Sequence, residues 1–152
     1  MRTLRSKLGN YTVQKNGLLH YENYDNHVVL GIYDDDSIFA GTDKLSMAVN
    51  KDTIDFLRKN KKPVLMEGDR LFNLKFLEAS ASIGYDVQVI VCVVNDSMEI
   101  LDRYKKRGRM QSMTFIKGRN TKINNIIKQF PVKLLNTTQP VKPFNNKITY
   151  II

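Results

Sequence analysis

Two carboxylates and a guanidinium stand together in Glu67-Gly68-Asp69-Arg70, directly after the apolar run Val64-Leu65-Met66. A short apolar run of this kind, bounded by polar residues, reads as a buried strand. In open α/β sheets ligands gather where strands end, so these three charged groups would emerge where a ligand docks. A strand-end acid such as Glu67 or Asp69 can position Mg2+ through its waters or accept a proton from an attacking hydroxyl. The same residues also suit a purely structural turn, in which Gly68 supplies the bend and Asp69 caps the next helix.

The complementary charge lies further along the chain. Residues 103–133 hold ten Lys and Arg and no Asp or Glu, leaving 14 basic against 15 acidic residues elsewhere, so the net charge of +9 is concentrated in one segment. That confinement favours a site for polyanionic phosphate over a general basic coat. Arg107, Arg109, Lys117, Arg119 and Lys122 are its strongest candidates, because guanidinium forks match phosphate oxygens and an ammonium adds point charge. A solvated, charge-rich helical face is the competing account. Tyr104, Phe115 and Phe130 accompany the segment; they stack on bases if it holds nucleic acid, and core packing is the competing account for Phe115 and Phe130. Asp43, in Gly41-Thr42-Asp43-Lys44, falls in the first turn of a predicted helix, where the helix dipole by itself favours a carboxylate.

The elements that must position these groups alternate. Residues 1–8 carry apolar side chains at helical spacing and stop at Gly9-Asn10. Residues 18–24 and 28–33 read as a strand pair joined by Asp25-Asn26. A helix is predicted over 42–59, capped by Thr42 and with Leu45, Met47, Ala48, Ile54 and Leu57 as its apolar face. Then come a strand at 64–66, a helix at 71–83 stopped by Gly84, and a buried central strand at 87–94. A helix capped by Asp96 or Ser97, a helix at 122–130, and strands at 132–135 and 148–152 complete the order. Strands alternating with helices predict one three-layer α/β/α domain over residues 1–152, around a mostly parallel sheet.

Composition narrows the functional classes. At 152 residues and 42% apolar, the chain has room for one domain with a proper core. Its longest apolar run, 87–94, is too short to span a bilayer, and no secretion signal opens the chain. A cytoplasmic protein is expected, with a nucleotide or nucleic acid as partner and no membrane. The single cysteine, Cys92, reads as a buried small hydrophobe, and His20 and His27 lack further partners at zinc-ligand spacing.

The ordered series VLGIY, GTDKLS, VLMEGDRLF, RGRMQ and FIKGRNTK, followed by Asn124-Asn125-Ile126, resembles phage-type P-loop kinases of the nucleoside and nucleotide kinase superfamily. That group includes kinases acting on hydroxymethylated pyrimidines in phage DNA. The resemblance implies ATP-dependent phosphoryl transfer with Mg2+. It implies Glu67 or Asp69 near the metal, Glu67 and Asp43 as catalytic groups, with Asp43 a possible base, and Tyr33, Arg70 and Phe72 around the acceptor. It also implies a basic lid formed by Arg107, Arg109, Lys117, Arg119 and Lys122.

Such kinases open with a strand and a G-x-x-x-x-G-K-[ST] loop that cradles phosphate. None of the eight glycines here is followed by Lys-Ser or Lys-Thr. The start at residues 1–8 looks like the helix that leaves such a loop. Two expectations follow: a longer kinase read from an internal methionine, inactive in the form given, or a chain that keeps the basic groove only to bind nucleic acid or a partner. Loss of the first strand would leave an exposed sheet edge through which two copies could pair.

Overall fold

Two tight reversals shape the N-terminal third into antiparallel strands β1 (Tyr11–Asn16), β2 (Leu19–Tyr24) and β3 (Val28–Leu30). The computed structural model describes residues 5, 7–34, 40–93, 97–106, 108, 111–136 and 150–151. The first reversal is the two-residue turn Gly17-Leu18. Gly17 has φ +59°, and a Cβ there would overlap the Asp52 carboxylate, which accepts the Leu18 N–H at 2.6 Å. The second is closed by Tyr24 N–H donating to His27 O at 3.0 Å. β1 is absent from the expectations above. Its residues are exposed from Tyr11 to Lys15, so it carries no apolar periodicity, and its pairing with β2 alone makes it a strand. The helix expected over 1–8 lies mostly outside the described residues.

β3 runs parallel to β4 (Val64–Met66), with Val28 opposite Val64 and Leu30 opposite Met66. The crossover between them corrects the expected 42–59 helix. Thr42–Lys44 forms one 3-10 turn, Leu45 is extended, and the α-helix α1 covers only Asn50–Lys59. The reason is tertiary: Thr42 and Asp43 bond to the chain beyond β4 instead of to the next helical turn. Met47, expected on the buried face, is therefore 77% exposed.

α2 (Leu74–Ser82) starts three residues later than expected, because Asn73, not Asp69, caps it by accepting Phe76 N–H at 2.9 Å. β5 (Val89–Val93) is central in a second sheet, as its apolar run requires. It is parallel to β6 (Val132–Asn136) on one side and to β7 (Tyr150–Ile151) on the other. α3 (Ser97–Lys106) and α4 (Met113–Ile127) connect β5 to β6. α4 begins nine residues before the helix expected at 122–130, since Ser112 caps it by accepting Phe115 N–H at 3.2 Å.

The result is an α/β fold with its strands divided between two sheets, ordered β1-β2-β3-β4 and β6-β5-β7, where one sheet was expected. β7 lies beside β4 without a hydrogen-bonded ladder to it. One core nevertheless draws on both sheets: Leu30, Val64 and Met66 from the first join Val89 and Val91 from the second, with Phe72, Phe76 and Ile126. No described helix is long and apolar enough to cross a membrane.

Candidate functional site

Because β3 and β4 are parallel and in register, the residues after Leu30 and Met66 emerge at one edge. Glycines let the backbone close up there. Ile32 and Gly41 exchange backbone bonds at 3.0 and 2.9 Å. A Cβ on Gly31 would overlap Gly41, and one on Gly41 would lie 2.8 Å from Glu67 O and 3.1 Å from the Tyr33 hydroxyl. This seam lays Thr42 and Asp43 directly on the 67–70 turn.

Thr42 is fully buried, and its N–H and hydroxyl both donate to Glu67 O, at 2.9 and 2.8 Å. Asp43 Oδ1 accepts the N–H groups of Asp69 at 2.6 Å and Arg70 at 3.2 Å. Backbone donors on a carboxylate make charge-assisted bonds, so Asp43 holds the turn that presents Asp69 and Arg70. Gly68, at φ +109°, lets that turn pass close by: a Cβ would sit 2.7 Å from Thr42 Oγ1.

α4 supplies the opposing charge. Lys122 Nζ lies 3.2 Å from Asp69 Oδ1 and 3.3 Å from Asp69 O, and Arg119 Nε is 3.7 Å from Asp69 Oδ2. These groups stay accessible, with side-chain exposures of 38% for Arg119, 32% for Lys122 and 21% for Asp69. Arg70 Nη2 donates to Asp43 O at 3.3 Å, while Arg70 Nε is buried without a hydrogen-bond partner among the described residues. A buried charged donor lacking an acceptor is costly, and an oxyanion beside it would remove that cost. The cluster is thus suited to an anion that can compete with Asp69 for Arg119 and Lys122.

Tyr33 closes the other side. Its hydroxyl donates to Leu30 O at 3.3 Å, and the Arg5 guanidinium lies 4.5 Å from its ring centroid. Burial, then the nearby Glu67 carboxylate, pushes this phenol well above its ordinary range, so it stays protonated and acts as a hydrogen-bonding group. Behind it, Arg5 Nε donates to Glu22 Oε2 at 2.7 Å, Arg5 Nη2 pairs with Glu22 Oε1, and the Tyr24 hydroxyl donates to Glu22 Oε2 at 2.8 Å. Burial and the Glu22 hydrogen bond push Tyr24 up to about 12.

Asp43, Glu67, Asp69, Arg70, Arg119, Lys122 and Tyr33 lie together at one edge. Phe72 is fully buried in the core, Lys117 is exposed on α4, and Arg107 and Arg109 lie outside the described residues. Sequence reasoning missed Thr42 as a ligand of Glu67 O, and Arg5 and Glu22 as the support of Tyr33. Gly31 and Gly41 were the legible signal for the first; the second pair is 17 positions apart along the chain, and no motif marks it.

Among the described residues, no three His, Cys, Asp or Glu side chains gather to hold a metal ion. One oxygen of Asp43 is committed to the backbone and Asp69 is shared with cations. The donor set suits a cation carried mainly by phosphate oxygens and water, with one or two carboxylates, as Mg2+ usually is. It does not suit a metal caged by protein.

The family model described as P-loop Nucleotide Kinase3 matches residues 4–142. No curated protein and no solved structure matches the chain.

Proposed function

The chain belongs to the P-loop Nucleotide Kinase3 family, and from that premise we propose that the edge beyond β3 and β4 handles phosphate in nucleotide phosphoryl transfer. The observation that carries this reading is the meeting of Arg119 and Lys122 on Asp69 beyond the end of a parallel strand, with the next residue, Arg70, held on Asp43 O. Phosphate oxygens take the place of the Asp69 carboxylate on Arg119 and Lys122, and Arg70 Nε gains its acceptor. With ATP as donor, Mg2+ supplies neutralisation of the charge on the transferring phosphate. Glu67 and Asp69 are the residues that would hold it.

Asp43 and Glu67 are the carboxylates assigned to orient the acceptor hydroxyl and take its proton. Asp43 has one oxygen on the backbone, which leaves the other for this task. Tyr33, protonated, orients the acceptor together with Arg70, while Phe72, fully buried in the core, contributes packing and not contact with the acceptor. Lys117, with Arg107 and Arg109, adds positive charge as a lid over the phosphates. The acceptor class is a nucleotide, a nucleoside or a hydroxymethylated base in DNA.

Calorimetric titration with pyrophosphate and with ATP, with and without Mg2+, tests the reading. Removing a charge-assisted hydrogen bond costs about 1.5–3 kcal/mol, so Lys122→Gln or Arg119→Gln should weaken either ligand about tenfold or more. A protein that binds neither ligand, or whose two variants bind as well as the parent, overturns it. Turnover, where present, should be lost in Glu67→Gln.

A further inference from the structure

α4 carries Phe115, Arg119, Lys122 and Ile126. Their spacing of four, three and four residues places all of them within about 60° of one another around the helix axis. Three members of this stripe have partners: Ile126 is fully buried in the core, and Lys122 and Arg119 reach Asp69. The fourth, Phe115, is 48% exposed, one turn beyond Arg119 toward the start of the helix. A core role for Phe115 is excluded by that exposure. Its backbone is tied to the start of α4, where Phe115 N–H donates to the capping Ser112 Oγ at 3.2 Å.

A lone exposed aromatic is ordinary; one in line with two accessible cations is a ligand arrangement. The rise of a helix places Phe115 about 6 Å from Arg119 and about 10 Å from Lys122 along the axis, an extent that suits a nucleotide, with phosphate at one end and a flat base at the other. We propose that Phe115 stacks on the base of a nucleotide whose phosphate lies on Arg119 and Lys122. The inference rests on the phosphate-binding reading above and adds the base, its contact and its direction: α4 reads the ligand lengthwise, phosphate at mid-helix and base toward the N-terminal end. Every base offers a π-face, so the contact favours nucleotides over bare phosphate without choosing among bases. The ligand is either a free nucleotide or a nucleotide unit within single-stranded DNA.

The chain has no tryptophan, so Phe115→Trp introduces a single indole at the proposed contact. A nucleoside monophosphate should quench its fluorescence, and pyrophosphate should not. Phe115→Ala should weaken the monophosphate about fivefold or more and leave pyrophosphate binding unchanged, Phe115→Tyr should restore affinity, and Lys122→Gln should weaken both ligands. Stronger quenching by a thymidine oligonucleotide than by the monophosphate identifies the DNA source, and the reverse identifies the free nucleotide. Equal monophosphate affinity in the parent and Phe115→Ala overturns the stacking role and leaves the phosphate site standing. A parent that binds neither pyrophosphate nor the monophosphate overturns both.

Discussion

Asp43 commits one oxygen to the backbone N–H groups of Asp69 and Arg70, and its structural work can be separated from any chemical work. Asp43→Ala strips two donors of a charged acceptor and should lower stability by about 2 kcal/mol, read as a lower urea midpoint at constant slope. Asp43→Asn keeps an acceptor and should recover most of that loss. If Asp43 also takes a proton in catalysis, Asn at this position will fold and bind pyrophosphate yet lose turnover. The neighbouring glycine makes the same turn sensitive to backbone change. Gly68→Ala forces a Cβ at φ +109° to within 2.7 Å of Thr42 Oγ1 and should cost about 1–3 kcal/mol, with weaker anion binding because Arg70 shifts with the turn.

At the scale of elements, α4 is held by its buried end and works through its exposed middle. Ile126 is the one described α4 residue that is fully buried. Ile126→Ala should cost about 3 kcal/mol through the cavity it leaves. The Asp69 pair is different in kind. Its members are one-fifth to two-fifths exposed, so their mutual attraction is screened and contributes under about 1 kcal/mol to folding. Asp69→Asn should accordingly leave the urea midpoint almost unmoved while raising pyrophosphate affinity in the absence of divalent cations, because Arg119 and Lys122 lose their internal competitor. Calorimetry at two ionic strengths checks this, and the gain should shrink as salt rises. A fall in affinity would mean that Asp69 supports the cations and does not compete for them.

Across the whole molecule, a buried polar network ties the hairpin to the site. Glu22 is 3% exposed and accepts from both Arg5 and Tyr24. Glu22→Gln leaves the Arg5 charge without its counter-ion and should cost about 3 kcal/mol or more. The same network sets an alkaline limit. Tyr24 moves from an ordinary 10.0 in the unfolded chain to about 12 in the fold, so the folded state holds its proton more tightly. That contribution to stability is complete below pH 10 and is lost as pH rises from 10 to about 12. Urea midpoints should fall across this window, and Tyr24→Phe should flatten the fall. A parent curve no steeper than that of the variant would remove the Tyr24 network from the account.

Much of this protein was legible along the chain because the signals are local. The apolar runs of β4 and β5, the Asp25-Asn26 reversal and the charge confined to 103–133 each depend on neighbouring residues, and so did the α/β alternation and the strand-end placement of Glu67, Asp69 and Arg70. Three features depended on partners distant in sequence. The local pattern at Thr42 and Asp43 favours the start of a helix, yet bonds to residues 67, 69 and 70 outweigh that preference. β1 has no apolar face and exists through its ladder with β2. Arg5, Glu22 and Tyr33 form one part-buried unit although nothing in their spacing links them. The sequence by itself thus determined where the positive charge is confined and that Glu67, Asp69 and Arg70 follow the end of β4. Only the tertiary structure decided that Asp69 already occupies the cations of α4 and that Phe115 stands exposed in line with them, because both follow from how one helix packs across a strand end 53 residues away.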